Sequence, residues 1–159
     1  MAKEEALLNV TEAALLWDLL VDRYKCLEES QIYHNYAHDL DFKQVIKTGM
    51  NNLLERQANE LEKQLIKYKM PMPTRPPKAM QTQDNSMVFN DKFLLRQIFE
   101  GCQSHIDYLA RSFRSFITND SLRHQVGDFL KDELTTFDLL CRYAKVKGWL
   151  EIPPPYETH

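Results

Sequence analysis

Glu133 is the residue of this 159-residue chain whose type and position point most directly to chemistry. It lies in the run DFLKDELTTF, residues 128–137, whose apolar period predicts a helix with Glu133 on its buried side. Inward carboxylates on helices are the ligands of dinuclear iron sites, which take Glu from two helices and Glu-x-x-His from two others. The residue three positions after Glu133 is Thr136, not His. Glu133 is therefore the remnant of such a site, part of a different site, or a core carboxylate.

The other predicted helices do not supply the rest of a dinuclear set. Glu55 lies well away from the apolar stripe of its helix, and Ala58 stands where the histidine would be. Glu100 is predicted to face outward, and Glu28 lies at the edge of the stripe on the first helix. The sequence therefore does not predict a complete dinuclear site.

His105 is the one plausible companion of Glu133. The two residues lie about fourteen positions before and after a predicted turn near Asn119, so an antiparallel helix pair places them at the same level. One hypothesis is an acid–base pair or an atypical site for iron, manganese or zinc, built from Glu133, His105 and Glu28. The alternative is a core contact without metal or other cofactor. We favour the core contact, because two ligands alone bind a metal weakly.

Two glutamines extend this polar set. Gln31 and Gln57 fall on the inward faces of the first two helices. We therefore predict a polar layer in the core made of Gln31, Gln57, His105 and Glu133. A third hypothesis is that Tyr24 joins Gln57, His105 and Glu133 to line a small-molecule cavity.

Four long helices position these residues. A first hairpin is predicted over 9–69, beginning with a capping box from Asn9 to Glu12. Its first stripe includes Trp17, and a break near Asp39 precedes a second helix capped by Asp41. A second hairpin is predicted over 91–148, with Phe113 among its buried residues and Gly148 at its end.

The segments outside the hairpins are rich in proline. Residues 70–90 hold four of the seven prolines and are predicted to form a long crossover between the hairpins. Residues 149–159 are predicted to form an extended tail, laid back along the bundle by Trp149, Ile152 and Tyr156. Two antiparallel hairpins joined by one long crossover make an all-α fold, the ferritin-like four-helix bundle, in a single domain of 159 residues.

Composition excludes several classes of function. The net charge of −3 offers no basic surface for nucleic acid or anionic lipid. The N-terminus has neither the pattern of a signal peptide nor that of a membrane span. Three well-separated cysteines, with no Cys-x-x-Cys pair, indicate reduced thiols. We therefore expect a cytoplasmic protein that does not bind nucleic acid or membranes.

Three terminal motifs carry a resemblance to a known family. They are LWDLL at 16–20, KYKMPMP at 67–73 and KVKGWLEIPPP at 145–155. In order and spacing, from about residue 9 to 156, the chain resembles the coat F-like proteins of spore-forming Gram-positive bacteria. The resemblance implies a ferritin-like fold, a link to sporulation or the spore coat, and no established enzymatic activity. It carries over no catalytic residues.

The expected function is therefore structural. We expect a non-catalytic protein that works through protein partners or self-association, with the proline tail and the Tyr33/Tyr36 face of the first helix as contact surfaces. The alternative is a metal-binding or redox protein with a degenerate site in the bundle core.

Overall fold

Helices make up all the regular structure of the computed structural model, which describes residues 7–77 and 89–156. Within these residues there is no strand, so the all-α prediction is confirmed. The described residues form four long helical segments, which we call rods. The elements are α1 (Val10–Tyr36), α2 (Leu40–Gly49), the π turn (Met50–Glu55), α3 (Arg56–Lys67), α4 (Asp91–Ser115) and α5 (Asp120–Lys147). The second rod is continuous but contains a π-helical turn near its middle, so it consists of α2, the π turn and α3.

The capping box predicted at the start of α1 is confirmed. The Asn9 side chain accepts a hydrogen bond from the Glu12 amide at 2.8 Å, and the Glu12 carboxylate accepts one from the Asn9 amide at 3.1 Å. This reciprocal pair satisfies two of the amide groups that a helix start leaves open. The N-terminal boundary is thus set by residues three positions apart in the sequence.

The predicted cap of the second rod was wrong by two residues. Asp39, not Asp41, caps α2, and its side chain accepts from the Asp41 amide. The reason is tertiary: Asp91, in the first turn of α4, accepts from the amides of His38 and Asp39 at 2.8 Å each. These bonds hold the turn between α1 and α2 against the start of α4.

Polar contacts at the two ends define the directions of the rods. At one end, Asn119 before α5 donates to Glu12 of α1 and to Tyr68 after α3. At the other end, the turn before α2 contacts the start of α4, and Lys147 of α5 bonds Asp39 and Asp41. Therefore α1 and α5 run in one direction, while the α2–α3 rod and α4 run in the opposite one.

The connection from α3 to α4 must therefore return along the length of the molecule. Its residues 78–88 lie outside the described part of the chain. Arg75 contacts Glu55 and Glu62 on the rod that it has just left, and Phe89 packs against Tyr36 at the far end. The predicted crossover over 70–90 thus starts and finishes at opposite ends of the rods.

Two hydrophobic clusters fill the interior, one towards each end. The one nearer the start of α1 is rich in leucine and contains Leu16, Leu20, Leu61, Leu65, Leu109, Phe116 and Phe129. The other contains Phe42, Ile46, Leu94, Leu95, Leu140 and Ala144. Two predicted core residues were wrong, because Trp17 and Phe113 are each 38% exposed. The true stripe of α1 is rotated towards Leu16 and Leu20.

The C-terminal segment follows the prediction only at its beginning. Gly148 adopts a left-handed conformation with φ of 68° and ends α5. Trp149 then turns back to pack edge-on against Phe42. Contrary to the prediction, Ile152 and Tyr156 do not pack on the rods, since they are 66% and 91% exposed.

No helix in the described ranges has both the length and the apolar character needed to cross a lipid bilayer.

Two glycine substitutions test the assigned end of α5. Gly148→Ala should lower the free energy of unfolding by about 1 kcal/mol, because an L side chain is strained at positive φ. Gly101→Ala is the matched control within α4, where an added Cβ meets open space. It should raise the free energy of unfolding by about 0.5–1 kcal/mol. Urea unfolding measures both; shifts of the same sign would contradict the assignment.

Candidate functional site

A buried polar layer crosses the interior between the two hydrophobic clusters. Arg23 of α1, Gln57 of α3, His105 of α4 and Glu133 of α5 are each at most 5% exposed. Each of the four rods therefore contributes one polar side chain to the layer. Polar groups removed from water need partners, so the layer is defined by what these four side chains contact.

Arg23 is the hub of the layer. Its Nη1 lies 3.5 Å from Glu133 Oε2 and 3.4 Å from Gln57 Oε1, and its Nη2 lies 3.7 Å from Asp22 Oδ2. Charge-assisted hydrogen bonds of this kind are usually about 2.7–2.9 Å long. The guanidinium is thus surrounded by acceptors without being tightly bound to any. Its Nε, and the Nε2 of Gln57, have no hydrogen-bond partner among the described residues.

His105 contacts the layer through Asp22. The Nδ1 of the imidazole lies 2.7 Å from Asp22 Oδ2. Burial lowers the pKa of His105 below its ordinary value of 6.5, and the hydrogen bond to Asp22 only partly opposes this. The imidazole is therefore neutral at neutral pH and donates its Nδ1–H to the carboxylate.

Asp22 is the more exposed member of this pair, with a side chain 33% exposed. Burial acts to raise its pKa, but the hydrogen bond and charge of His105, together with Arg23 and Lys25, outweigh it. The pKa of Asp22 therefore lies below its ordinary value of 3.8. Asp22 is ionised at neutral pH and links α1 to α4.

The structure gives Glu133 and His105 different partners from the direct pairing expected. Glu133 lies beside Arg23, and His105 beside Asp22. The physical reason is that Asp22 and Arg23 are consecutive residues of α1. The cation Arg23 lies beside Glu133, and the anion Asp22 lies beside His105. Glu133 and His105 are thus connected through α1 and share one level, as the antiparallel geometry of α4 and α5 predicts.

Of the remaining predicted site residues, Gln57 lies in the layer and the others lie outside it. Gln57 is fully buried within it, whereas Gln31 is half-buried more than two turns further along α1 from Arg23. Glu28, the third candidate metal ligand, is exposed. Tyr24 donates its hydroxyl hydrogen to Glu62 instead of joining the layer. Over residues 7–77 and 89–156, no three His, Cys, Asp or Glu side chains are grouped to hold a metal ion.

Arg23 is the functional residue that sequence reasoning missed. A signal was present, since Leu16, Leu20, Arg23 and Leu27 follow the helical i, i+3, i+4 spacing. A second signal was the inward Glu133, because a buried carboxylate needs a cation or several donors. Arginine is usually exposed, so the spacing alone did not identify Arg23 as a core residue.

Two cysteines lie beside the layer, and burial raises the pKa of both thiols. Burial is the largest influence on Cys26 and raises its pKa to about 11, against the effect of Arg23. Burial likewise raises the pKa of Cys102, whose Sγ donates to the Glu133 carbonyl oxygen at 3.9 Å. Both thiols are therefore protonated at neutral pH, and metal binding or nucleophilic attack requires the thiolate.

The π turn lies at the level of this layer. A π turn widens the helix, breaks the usual hydrogen-bond ladder and is often found at functional sites. Arg56, the residue after it, donates from Nε to the Asn52 carbonyl oxygen at 3.0 Å. The same side chain reaches across to Asp132 of α5 at 2.7 Å. Arg56 thus stabilises the π turn and attaches it to α5.

A cleft of about 670 Å³ extends from the polar layer towards the α1–α2 turn, lined by residues of all four rods. We call it the central cleft. Arg23, Cys26, Cys102 and Glu133 lie at its inner end. Apolar side chains form its walls, and among them are Tyr33, Phe42, Ile46, Leu53, Ile98 and Leu140.

Comparison with known proteins places this architecture in a family. The whole chain, residues 1–159, matches the family described as "Protein of unknown function (DUF3231)". The chain belongs to this family. The DUF3231 chain also resembles the crystal structure of a putative spore coat protein from Bacillus halodurans. The two share 19% sequence identity with a TM-score of 0.85 over 96% of each chain, so the likeness shows the fold. No curated protein sequence matches it.

A double-mutant cycle tests the role of Arg23. Arg23→Met should lower the free energy of unfolding by about 3–5 kcal/mol, because it leaves the Glu133 carboxylate buried without its cation. Adding Glu133→Met should recover much of this loss, because the buried charge is then removed as well. Urea unfolding of both single variants and the double variant measures the coupling. Additive losses would contradict a direct pair.

The acid dependence of stability tests His105. The unfolded chain protonates this histidine at a pKa of about 6.5 and the folded protein only at lower pH. The unfolded state therefore binds more protons below this value, so the free energy of unfolding falls as the pH drops below about 6.5. Asp22 adds its own loss only below 3.8.

We expect His105→Gln to flatten this pH dependence. His124→Gln, at an exposed position on α5, is the control and should retain the slope of the parent protein. Denaturant titrations at a series of pH values give the slopes. Equal slopes for His105→Gln and the parent would rule out His105 as their cause.

Proposed function

We propose that this protein is a non-catalytic structural protein of ferritin-like fold that works by binding other proteins in the spore coat. The observation that carries the proposal is the salt bridge between Arg23 and Glu133. A dinuclear iron site would use an inward glutamate at this central level as a ligand. Here the position facing it holds a guanidinium, whose positive charge repels a metal cation.

The directions of the rods support the ferritin-like assignment. Two antiparallel hairpins, connected so that α1 runs with α5 and α3 runs with α4, need one long crossover, which is the connection of ferritin-like bundles. In the described residues, α3 ends at the Tyr68 end and Phe89 precedes α4 at the Tyr36 end, which supports such a crossover. In this proposal the whole chain is one domain.

The spore association is supported by the relative of the same fold. The Bacillus halodurans protein is described as a putative spore coat protein, and the alignment covers nearly all of both chains. The motifs at 16–20, 67–73 and 145–155 point to the same class of protein. We propose a cytoplasmic protein that becomes part of a spore-associated assembly through protein partners or self-association.

The C-terminal tail is the proposed contact surface. Residues 151–156 are exposed and outside any helix, and Glu151 forms an ion pair with Lys92 at 2.7 Å. Its three consecutive prolines favour a polyproline II conformation, which partner proteins recognise at low entropic cost. The Tyr33/Tyr36 face supports the proposal less, because Tyr36 packs against Phe89 and Tyr33 lines the central cleft.

A tail variant tests this proposal in a spore-forming host. The combined change Ile152→Ser and Tyr156→Ser removes the two exposed apolar side chains of the tail and should strongly reduce the amount of protein in the coat fraction. Val146→Ser, which removes an exposed apolar side chain of α5, is the matched control and should enter the coat normally. Immunoblots of coat and soluble fractions provide the measurement.

Three results would overturn the proposal or part of it. Absence of the parent protein from the coat fraction would remove the spore assignment. Equal coat levels for the tail variant and the control would remove the tail as the contact surface. Stoichiometric iron, manganese or zinc in untagged protein, lost on Glu133→Ala, would replace the structural role with the metal-binding alternative.

A further inference from the structure

The central cleft lies along the gap between the α2–π–α3 rod and α5. At one end Phe42 stacks on Tyr143, whose hydroxyl donates to Asp41 at 2.9 Å. At the other end Arg56 bridges to Asp132. The two rods are thus joined at both ends of the cleft. The exposed lining residues Gln44, Thr48, Asn52, Thr135 and Leu139 lie on the same two rods.

The size of the cleft suits a small molecule. Its volume of about 670 Å³ lies within the usual range for ligand pockets, about 300–1,000 Å³. Its lining extends from Arg23 to Tyr33 on α1 and from Glu133 to Tyr143 on α5. Ten residues of helix at 1.5 Å per residue correspond to a length of about 15 Å. The cleft is therefore elongated, and its inner end carries the buried ion pair of Arg23 and Glu133.

At the inner end of the cleft, the hydrogen-bond donors of Arg23 are not all satisfied by the part of the protein that the structure describes. It is 2% exposed, its nearest acceptors lie at 3.4 Å or beyond, and its Nε has no hydrogen-bond partner among the described residues. Buried donors in folded proteins are nearly always satisfied. A ligand oxygen that accepts a hydrogen bond from this guanidinium would give the unpaired donor a partner.

The charges around Arg23 determine whether the ligand oxygen that it binds is charged or uncharged. Two carboxylates, those of Glu133 and Asp22, already lie 3.5 Å and 3.7 Å from the one guanidinium. A third carboxylate would be repelled by these two at short range in a poorly hydrated site. An uncharged hydroxyl or carbonyl oxygen accepts from Arg23 without this repulsion.

The described part of the crossover does not fill the cleft. Arg75, Pro76 and Pro77 lie against Leu27 and Glu55, outside the lining of the cleft. The tail turns back through Trp149, which packs on the end formed by Phe42 and Tyr143, and Leu150 packs against the same hydrophobic cluster. Among residues 7–77 and 89–156, the lining of the cleft comes from the helices alone, so the cleft has room for a separate molecule.

We propose that the central cleft binds an uncharged amphipathic small molecule. Its apolar body lies along the wall formed by Phe42, Ile46, Leu53, Ile98 and Leu140, and its hydroxyl or carbonyl oxygen accepts a hydrogen bond from Arg23. The π turn contributes to the site by widening the second rod where it borders the cleft. This binding site is independent of the proposed coat contact, which uses the tail.

Fluorescence titration of purified full-length protein tests the site. The probe is N-phenyl-1-naphthylamine, an uncharged apolar dye, and the competitors are 1-decanol and decanoate, which share a chain length and differ in head group. We expect saturable binding of one dye per chain. The alcohol should displace the dye at a concentration at least about tenfold lower than the carboxylate does.

Two variants of the π-turn region locate the binding. Gly49 lines the cleft at a helical position with open space around it, so Gly49→Leu fills the cleft and should weaken dye binding at least about tenfold. Asn51→Leu adds the same side chain two residues away at an exposed position outside the lining, and should retain the parent affinity. Circular dichroism spectra confirm that both variants are folded.

The possible results decide the proposal. The absence of saturable binding of the dye, or equal weakening by both leucine variants, would overturn the site. Equal competition by decanoate and 1-decanol would overturn the uncharged head group. Because these measurements use purified protein, they are independent of whether the protein enters the spore coat.

Discussion

The burial of the Arg23 guanidinium is the constraint on which the centre of this molecule depends. A charge of this kind is costly to remove from water unless acceptors surround it. Its acceptors come from other rods, Glu133 on α5 and Gln57 on α3, and the adjacent Asp22 extends the set to His105 on α4. Sliding α5 by one turn, about 5.4 Å, would move Glu133 out of reach. The layer therefore selects one alignment of the four rods.

The polar layer also separates two parts of the protein interior, one filled by apolar side chains and one containing the cleft. On the side of Leu16, Leu65 and Phe116, apolar side chains fill the space between the rods. On the side of Phe42 and Leu140, the same four rods leave a cleft between them. The π turn coincides with this transition. A rod that widens there borders the cleft, and the bridge from Arg56 to Asp132 connects the widened rod to α5.

The proposed structural and binding roles are compatible because they use different parts of the chain. The C-terminal tail presents Ile152 and Tyr156 to solvent, away from the interior. The cleft uses the inner faces of the rods and the unsatisfied nitrogen of Arg23. One side chain thus serves two purposes, since Arg23 neutralises Glu133 and leaves a donor available. The ion pair explains how the four-helix framework accommodates an inward glutamate, because the Arg23 guanidinium lies beside the buried carboxylate.

Features that depend on neighbouring residues were determined by the sequence alone. The capping box from Asn9 to Glu12 and the helix end at Gly148 follow from local hydrogen bonding and local backbone sterics. The apolar stripe from Phe42 through Leu61 to Leu65 follows from the helical period. The all-α class and the burial of Glu133 and His105 could be predicted for the same reason.

Features that depend on distant contacts were decided only by the tertiary structure. Asp39 became the cap of α2 because Asp91, far along the chain, holds the turn. Arg23 became a core residue because Glu133 and Gln57 meet it from other rods, whereas the usual preference of arginine is for the surface. The local signals around Met50–Glu55 predict an ordinary helix, yet the structure has a π turn there. The pattern of a single helix contains no information about the charge or space that another helix presents, so the ion pair and the cleft emerge only when the four rods pack together.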